Sequence, residues 1–508
     1  MDMQAASAAG KGRQFSEHKG EPQRSSPPRT IVIVGAGFSG TAVALNLLRL
    51  PHARPLRIVL IERARARIMR GVAYARHKHS YLLNVPAARM SASSEDPLEF
   101  LTFAQRTRSD ATAEDFLPRE LYGDYLESTL LTAAQAAPPH VRLDRLHGEV
   151  IAVERLRRTH AVRVQLDDGT VVAADTVVLA LGNPPPGPLP VAESLRGSGR
   201  YVADPWQTPP SFRSGETVLV VGTGLTMADI ALAANQATRG RVAIHAISRH
   251  GLTPAAQTAF REGPYSLHEG PLLDAAPVSL RRLVSSVRAL AEEAELHGRD
   301  WREVISAVRS LAPGLWQRLS THEKQRFLRH VRCYWDAHRH RLPECTLLAL
   351  ENLRAQGTLE VHAGRLLALA PAGRKIQASW RVRGESATET LPVDRVINCT
   401  GPDYDPRRAD GRLLRSLIAQ AMAVADPLGL GLVTAELGAL VDASGRVADD
   451  IYYIGPMLRP GHWETTAVQE LRVRAEQLAR QLTVGTAVPW QLSSREYADL
   501  LAELGVTA

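Results

Sequence analysis

Two glycine-rich turns have the residue types and the spacing to bind phosphate groups. The first follows the β-branched run at 30–34, the second follows the run at 217–221, and each leads into an apolar, helix-forming stretch. Glycines at such a turn allow close approach of a pyrophosphate, which then lies at the positive end of the helix. The pattern therefore predicts two dinucleotide sites. Their turn residues are Gly35, Gly37, Ser39 and Gly40 in the first, and Gly222 and Gly224 in the second.

The two units end in strands that suit different riboses. Glu62 lies 22 residues after Gly40, where a carboxylate can accept hydrogen bonds from both hydroxyls of an unphosphorylated ribose, as in FAD or NAD. The second unit ends instead in Ser248 and Arg249, without an acid. A hydroxyl and a cation suit a 2′-phosphate, which favours NADPH. The alternative for Arg249 is a solvated arginine on a loop.

The elements that must position these residues alternate between strand and helix, which predicts an α/β fold. We expect two Rossmann-like dinucleotide-binding domains, the second inserted into the first, with a helical insertion. Apolar strands that end in glycine recur at Gly182, Gly401 and Gly455. The predicted parts are a disordered tail (1–29), the FAD-binding domain (30–212 and 391–485), the NAD(P)-binding domain (213–390) with its helical insertion at about 278–341, and a C-terminal extension (486–508).

Composition excludes several classes of protein. The net charge is +8, but only five of the 61 basic residues are lysine and no basic block carries interleaved aromatics, so we expect no nucleic-acid partner. No apolar run is long enough to span a membrane, and the first residues lack the apolar core of a signal peptide. These features predict a cytoplasmic enzyme that acts on a small-molecule substrate. They do not predict its oligomeric state.

Cysteine and histidine spacing gives no metal or redox motif. Cys333, Cys345 and Cys399 form no Cys-x-x-Cys pair, which disfavours a zinc knuckle and a disulfide reductase. His338 and His340 are two residues apart, so on a helix they point to different faces. We therefore expect no metal, and interpret the helix that carries them as packed or facing a cofactor, with His330, Tyr334, His338 and Arg341 on one face.

The segment after Gly455 predicts a polar N-terminus on a final helix from Glu464 to Leu482. Thr465 or Thr466 would cap this helix, whose positive end can stabilise negative charge on a reduced flavin. The alternative is an ordinary capped amphipathic helix.

Several short motifs together resemble a bacterial NAD(P)/FAD-binding oxidoreductase family, over most of the chain after the tail. That family is similar in architecture to flavin-containing monooxygenases, Baeyer–Villiger monooxygenases and N-hydroxylases. The resemblance implies FAD in the first site, NAD(P)H in the second, and the flavin ring at the domain interface near Asn84, Pro86, Thr400, Gly401 and the segment Trp463–Thr466. The motifs are Gly71–Tyr74, Leu82–Ala87, Phe116–Arg119, Tyr334–Asp336 with His338–Arg341, and Asn398–Pro402.

One departure from the flavin monooxygenase pattern affects the reaction. Its aromatic-Gly-His signature would fall near residues 201–215, where this chain has no Gly or His at those spacings. The leading hypothesis is an NADPH-consuming FAD monooxygenase that acts on a small organic substrate and O2 through a flavin C4a-(hydro)peroxide. The alternatives are a reductase that passes electrons to a quinone or other small acceptor, and a non-catalytic flavin-binding scaffold or sensor. No catalytic residue is assigned, and the candidates are Asn84, His338 and His462.

Overall fold

The computed structural model describes residues 27–156, 161–257 and 279–484. The predicted C-terminal extension and all but the last three residues of the predicted tail lie outside this range. The strands are β1 (Arg29–Val34), β2 (Leu56–Glu62), β3 (Val141–His147), β4 (Val150–Arg155), β5 (Val162–Leu166), β6 (Val171–Ala174), β7 (Thr176–Leu179), β8 (Tyr201–Val202), β9 (Glu216–Val221), β10 (Val242–Ser248), β11 (Leu359–Ala372), β12 (Lys375–Val382), β13 (Thr388–Val393), β14 (Arg395–Asn398), β15 (Ala439–Val441) and β16 (Val447–Tyr453).

The longer helices follow the glycine turns, cover the sheets and build the insertion. They are α1 (Phe38–Arg49), α2 (Glu99–Gln105), α3 (Arg119–Ala136), α4 (Leu225–Thr238), α5 (Leu280–Leu296), α6 (Trp301–Arg318), α7 (Thr321–Arg326), α8 (Arg332–Arg339), α9 (Glu344–Ala355), α10 (Arg412–Ala419) and α11 (Val468–Val484). A π-helical turn at Phe327–Val331 joins α7 to α8. No described helix has the length and apolar character needed to cross a membrane.

The first sheet is built from two distant parts of the chain. Its order is β15-β16-β7-β1-β2-β3, and β1 pairs in parallel with both β2 and β7. The chain leaves this sheet after β7 and returns with β15 and β16, of which β16 pairs in parallel with β7. Apolar residues on one face pack against α1, α3 and α11, and those on the other pack against the small β4-β5-β6 sheet and α10. This topology agrees with the predicted insertion of the second unit into the first.

The second sheet has the order β13-β12-β11-β10-β9-β14-β8. Its central strands are parallel, and β12 and β13 add an antiparallel extension at one edge. Both β8 and β14 lie outside residues 213–390, the range predicted for the NAD(P)-binding domain. The sheet extends beyond them because β14 pairs in parallel with β9 and with β8. The strand that ends at Asn398 therefore belongs to the second sheet, whereas the sequence placed it in the first domain.

The helical insertion packs on the first domain through aromatic side chains. Trp463, which precedes α11, lies against Trp316 of α6 with ring centroids 4.7 Å apart, and against Phe327 at 5.0 Å. These residues share one buried apolar cluster. The insertion is thereby held over the segment that leads into α11.

Candidate functional site

A cavity of about 2680 Å³ lies between the two sheets and the helical insertion. Ligand sites for one small molecule have volumes of about 300–1,000 Å³, so this space suits two large ligands together. Residues from both glycine turns line it. The predicted binding residues on its wall are Gly35, Gly37, Ser39, Glu62, Asn84, Pro86, Gly182, Gly222, Gly224, Ser248, Arg249, Thr400, Gly401, Trp463, Glu464, Thr465 and Thr466.

At the first turn, backbone contacts hold the glycine loop against the end of β2. Gly35 has a φ of +104°, and a Cβ there would lie 2.2 Å from the carbonyl oxygen of Ala180. The backbone N–H of Ala36 donates to Glu62 Oε2 at 3.0 Å, and that of Ala64 donates to Oε1 at 3.2 Å. The carboxylate is thus fixed at the cavity wall, and its remaining lone pairs can accept hydrogen bonds from a ribose.

Gly40 has a packing role and is not among the described residues that line the cavity. A Cβ at this position would lie 1.9 Å from the carbonyl oxygen of Gly35. Only glycine therefore lets α1 approach the turn so closely. This glycine thus faces the protein, whereas the earlier turn residues face the cavity.

The second turn repeats the geometry of the first. Gly222 has a φ of +112°, and a Cβ there would lie 2.3 Å from the carbonyl oxygen of Cys399, which follows β14 as Ala180 follows β7. At Gly224, by contrast, a Cβ would meet no atom within 4 Å. The Ser248 hydroxyl lies 2.9 Å from Thr223 Oγ1 and accepts a hydrogen bond from the N–H of Gly251 at 3.0 Å. Exposed Arg249 follows it on the cavity wall.

Glu464 is held as a buried ion pair before α11. Arg339 Nε donates to its Oε2 at 2.9 Å, and Trp335 Nε1 donates to its Oε1 at 2.9 Å. Burial opposes ionisation, but the positive charges of Arg339 and Arg309 outweigh it and lower the pKa of Glu464 below its ordinary value. The helix begins at Val468, so the predicted start at Glu464 is wrong: this carboxylate is held by the insertion. Thr465 and Thr466 lie in the preceding turn.

The three predicted catalytic candidates lie in different environments. Asn84 and His462 line the cavity. Burial, and secondarily the positive charge of Arg474, lowers the pKa of His462 to about 3, so its ring is neutral at pH 7. His338 is exposed and packs on Trp301 with ring centroids 5.0 Å apart, outside the part of the cavity wall that the structure describes.

Of the four residues predicted to share one helix face, only Arg341 lines the cavity. His330, Tyr334 and His338 are exposed. The opposite side of α8 and the residues after it contribute the cavity wall. Those wall residues are Arg332, Cys333, Asp336, Ala337, Arg339, His340 and Arg341.

The predicted binding residue Gly455 is not on the described wall of the cavity, since it packs against the Tyr453 ring. The next two residues, Pro456 and Met457, do line the cavity.

Sequence reasoning missed the polar contact that joins the two domains at the cavity. Arg119, at the start of α3, pairs with Asp229 of α4, with Nη1 and Oδ2 2.9 Å apart. Arg119 Nε also donates to the carbonyl oxygen of Leu82 at 2.8 Å. The motif Phe116–Arg119 contributes only to the family resemblance, and nothing in the local sequence links it to Asp229.

A second missed feature is the concentration of arginines on the insertion side of the cavity. Arg309, Arg339 and Arg341 all line it, and the Arg341 guanidinium donates to Ser306 Oγ at 2.9 Å. Burial, followed by the nearby Arg339, lowers the pKa of Arg341 to about 9. Arg339 and Arg341 are neighbours in the sequence, but Arg309 lies on α6, so only the fold brings its charge to theirs.

Comparison with known proteins agrees with this geometry. The sequence model of the FAD-NAD(P)-binding family matches residues 32–184, which hold the first turn, Glu62 and Gly182. This part of the chain therefore carries the sequence pattern of an FAD- and NAD(P)-binding domain. No curated protein matches the sequence.

Solved structures of two hydroxylases and a monooxygenase are similar to this chain. The ornithine hydroxylase of Pseudomonas aeruginosa has a TM-score of 0.58 at 15% identity, covering 90% of this chain and 99% of that one. The ornithine N-hydroxylase of Kutzneria sp. 744 has a TM-score of 0.58 at 18% identity, and the match covers 90% of this chain and 99% of that one. The cadaverine monooxygenase of Erwinia amylovora has a TM-score of 0.60 at 14% identity, and the match covers 92% of this chain and 98% of that one. At these identities the likeness establishes the fold.

The residues present fit FAD and NAD(P). The first turn and Glu62 offer backbone N–H groups and a ribose acceptor, and Gly224 leaves open space where a pyrophosphate would approach. The cavity is large enough for two such ligands, and Asn84, Thr400 and Trp463 line it as well.

Proposed function

We propose that this protein is an FAD-dependent, NADPH-consuming monooxygenase that oxygenates a small organic substrate. The observation that carries the proposal is that both glycine turns open onto one cavity. A ligand at each turn could then meet the other without leaving the protein. The fold shared with ornithine and cadaverine hydroxylases supports oxygen transfer over other uses of two dinucleotides.

The side chains around the cavity have separable roles in this proposal. Glu62 would hold the ribose of FAD, while Ser248 and Arg249 would hold the 2′-phosphate of NADPH. Bound FAD supplies hydride acceptance and the activation of O2. Trp463 and the apolar cluster beneath the insertion would exclude water from the reacting end of the cavity. Substrate would enter beside the insertion. A cytoplasmic location and a bacterial origin belong to the same proposal.

Rapid mixing tests the proposal directly. The FAD-bound protein would be reduced by NADPH without oxygen, then mixed with oxygenated buffer while the flavin spectrum is followed in a stopped-flow instrument. We expect a transient spectrum that differs from both oxidised and reduced flavin. The experiment would be repeated with amines, thiols and ketones present, amines first, because the similar structures act on ornithine and cadaverine. A true substrate would give oxygenated product in proportion to the NADPH consumed.

A second candidate function is an NAD(P)H-dependent reductase that passes electrons to a quinone or another small acceptor. The departure from the monooxygenase pattern near residues 201–215 favours it. Direct return to oxidised flavin with every substrate class, together with rapid reduction of a quinone, would replace the monooxygenase proposal with this one. Slow flavin reduction even at saturating NADPH would instead favour a scaffold or sensor.

A further inference from the structure

Three potential metal ligands converge on the second sheet. His245 lies on β10, and Glu360 and His362 lie on the adjacent parallel strand β11, where His245 is in register with Glu360. Residues two apart on a strand point to the same face, so both β11 side chains can reach the same point beside His245. Within the described residues, this is the one group of three His, Cys, Asp or Glu side chains whose ligand atoms come together so closely.

The distances between the ligand atoms identify the kind of site. His245 Nδ1 lies 3.1 Å from His362 Nε2 and 3.6 Å from Glu360 Oε2, and the latter two atoms are 3.8 Å apart. Tetrahedral ligands at zinc distances are separated by about 3.4 Å, while adjacent octahedral ligands at similar distances are about 3.0 Å apart. The triangle is closer to the tetrahedral value. We propose that His245, Glu360 and His362 bind Zn²⁺, with water as the fourth ligand.

The surroundings support a bound cation. The two histidine side chains are 13% and 19% exposed, whereas that of Glu360 is 57% exposed, so the site is anchored in the sheet and open to solvent on one side. The Trp380 ring packs against His362 with centroids 4.9 Å apart and fixes its orientation.

The position of the site suggests a structural role. None of its three residues is on the described wall of the cavity. Zinc there would join β10 to β11, and β10 ends at Ser248, beside the second glycine turn. The metal would therefore stabilise the sheet that presents Ser248 and Arg249. This inference does not depend on the proposed monooxygenase activity.

Zinc binding can be tested on the full-length, FAD-bound protein after removal of any histidine tag and treatment with a chelator. We expect one Zn²⁺ per chain by elemental analysis after titration, and a visible spectrum of four-coordinate Co²⁺ when Co²⁺ replaces it. The melting temperature should rise with the logarithm of free Zn²⁺ concentration above Kd, because the metal binds only the folded site.

Two variants distinguish this site from others in the chain. Glu360→Gln and His362→Gln should each raise the Kd for Zn²⁺ by about tenfold or more, since each removes one of three protein ligands. Glu360 is exposed, so its variant should fold normally, which circular dichroism would verify. His322→Gln, at an exposed residue of α7, is the matched control and should bind as the parent does. Absence of stoichiometric Zn²⁺, or equal affinity in all four proteins, would show that the two rings merely share a hydrogen bond.

Discussion

Arg119 and Asp229 form an ion pair 2.9 Å long that joins the first dinucleotide-binding domain to the second beside the cavity. Both side chains are largely buried, with 13% and 11% of their surface exposed. Burial raises the pKa of Asp229 above its ordinary value, and the positive charge of Arg119 offsets only part of this increase. Tyr81 and Trp206 lie near the guanidinium, at 5.6 and 5.9 Å from its carbon to the ring centroids.

Replacement of Arg119 by Met should destabilise the protein by about 3 kcal/mol, because it leaves a buried carboxylate without its partner. Asp229→Asn should cost less, since the amide oxygen can still accept a hydrogen bond. Urea unfolding of both single variants and the double variant would measure the coupling. If the two single changes are additive, the pair does not hold the domains together.

Two glycines of the second turn should respond differently to alanine. Gly222→Ala places a Cβ 2.3 Å from the Cys399 carbonyl oxygen and forces an unfavourable φ, so we expect a loss of about 2 kcal/mol or more of stability. The Cβ that Gly224→Ala adds would meet no atom within 4 Å, so the melting temperature of this variant should equal that of the parent protein. Its methyl group should instead raise the KM for NADPH about tenfold by hindering the pyrophosphate. Equal thermal stability of the two variants would contradict this assignment.

Arg249→Asp tests the cofactor preference. Loss of a charge-assisted contact to the 2′-phosphate, with repulsion in its place, should raise the KM for NADPH by about 10- to 100-fold and leave that for NADH almost unchanged. Steady-state kinetics with both nucleotides would measure the change. The control is Arg239→Asp, at an exposed arginine beyond the far end of α4. An unaltered preference in Arg249→Asp would exclude this residue from the phosphate site.

The neutral ring of His462 should make the fold sensitive to acid. Its folded-state pKa is about 3, whereas an unfolded histidine has a pKa of about 6.5. Between these values the unfolded chain binds a proton that the folded protein does not. The free energy of unfolding should therefore decrease as pH falls from 6.5 toward 3, by up to about 1 kcal/mol per pH unit from this group, allowing for partial solvent screening.

His462→Gln should remove that contribution and flatten the dependence of stability on pH between 6 and 4. Urea titrations at several pH values would measure the slope for the variant, for the parent and for the control His322→Gln. The same slope in all three proteins would show that His462 is as easily protonated in the folded state as in the unfolded one.

Much of the local structure could be predicted because it depends on neighbours in sequence. The β-turn-α units and the alternation of strand and helix follow from short patterns of apolar and glycine residues. The start of α11 and the edge of the second sheet could not be predicted in this way. Glu464 is held by Arg339, which lies far away in the chain, and β14 finds its place only by pairing with β9 and β8.

The sequence by itself determined that the chain has two dinucleotide fingerprints in an α/β fold, and where Glu62 and Arg249 stand relative to them. Only the tertiary structure decided which face of α8 lines the cavity, that Arg119 meets Asp229, and that two strands bring His245 and His362 together. The physical reason is the distance along the chain over which each kind of interaction acts. Turn geometry and helix polarity act over a few residues, whereas ion pairs and ligand clusters depend on how distant segments pack.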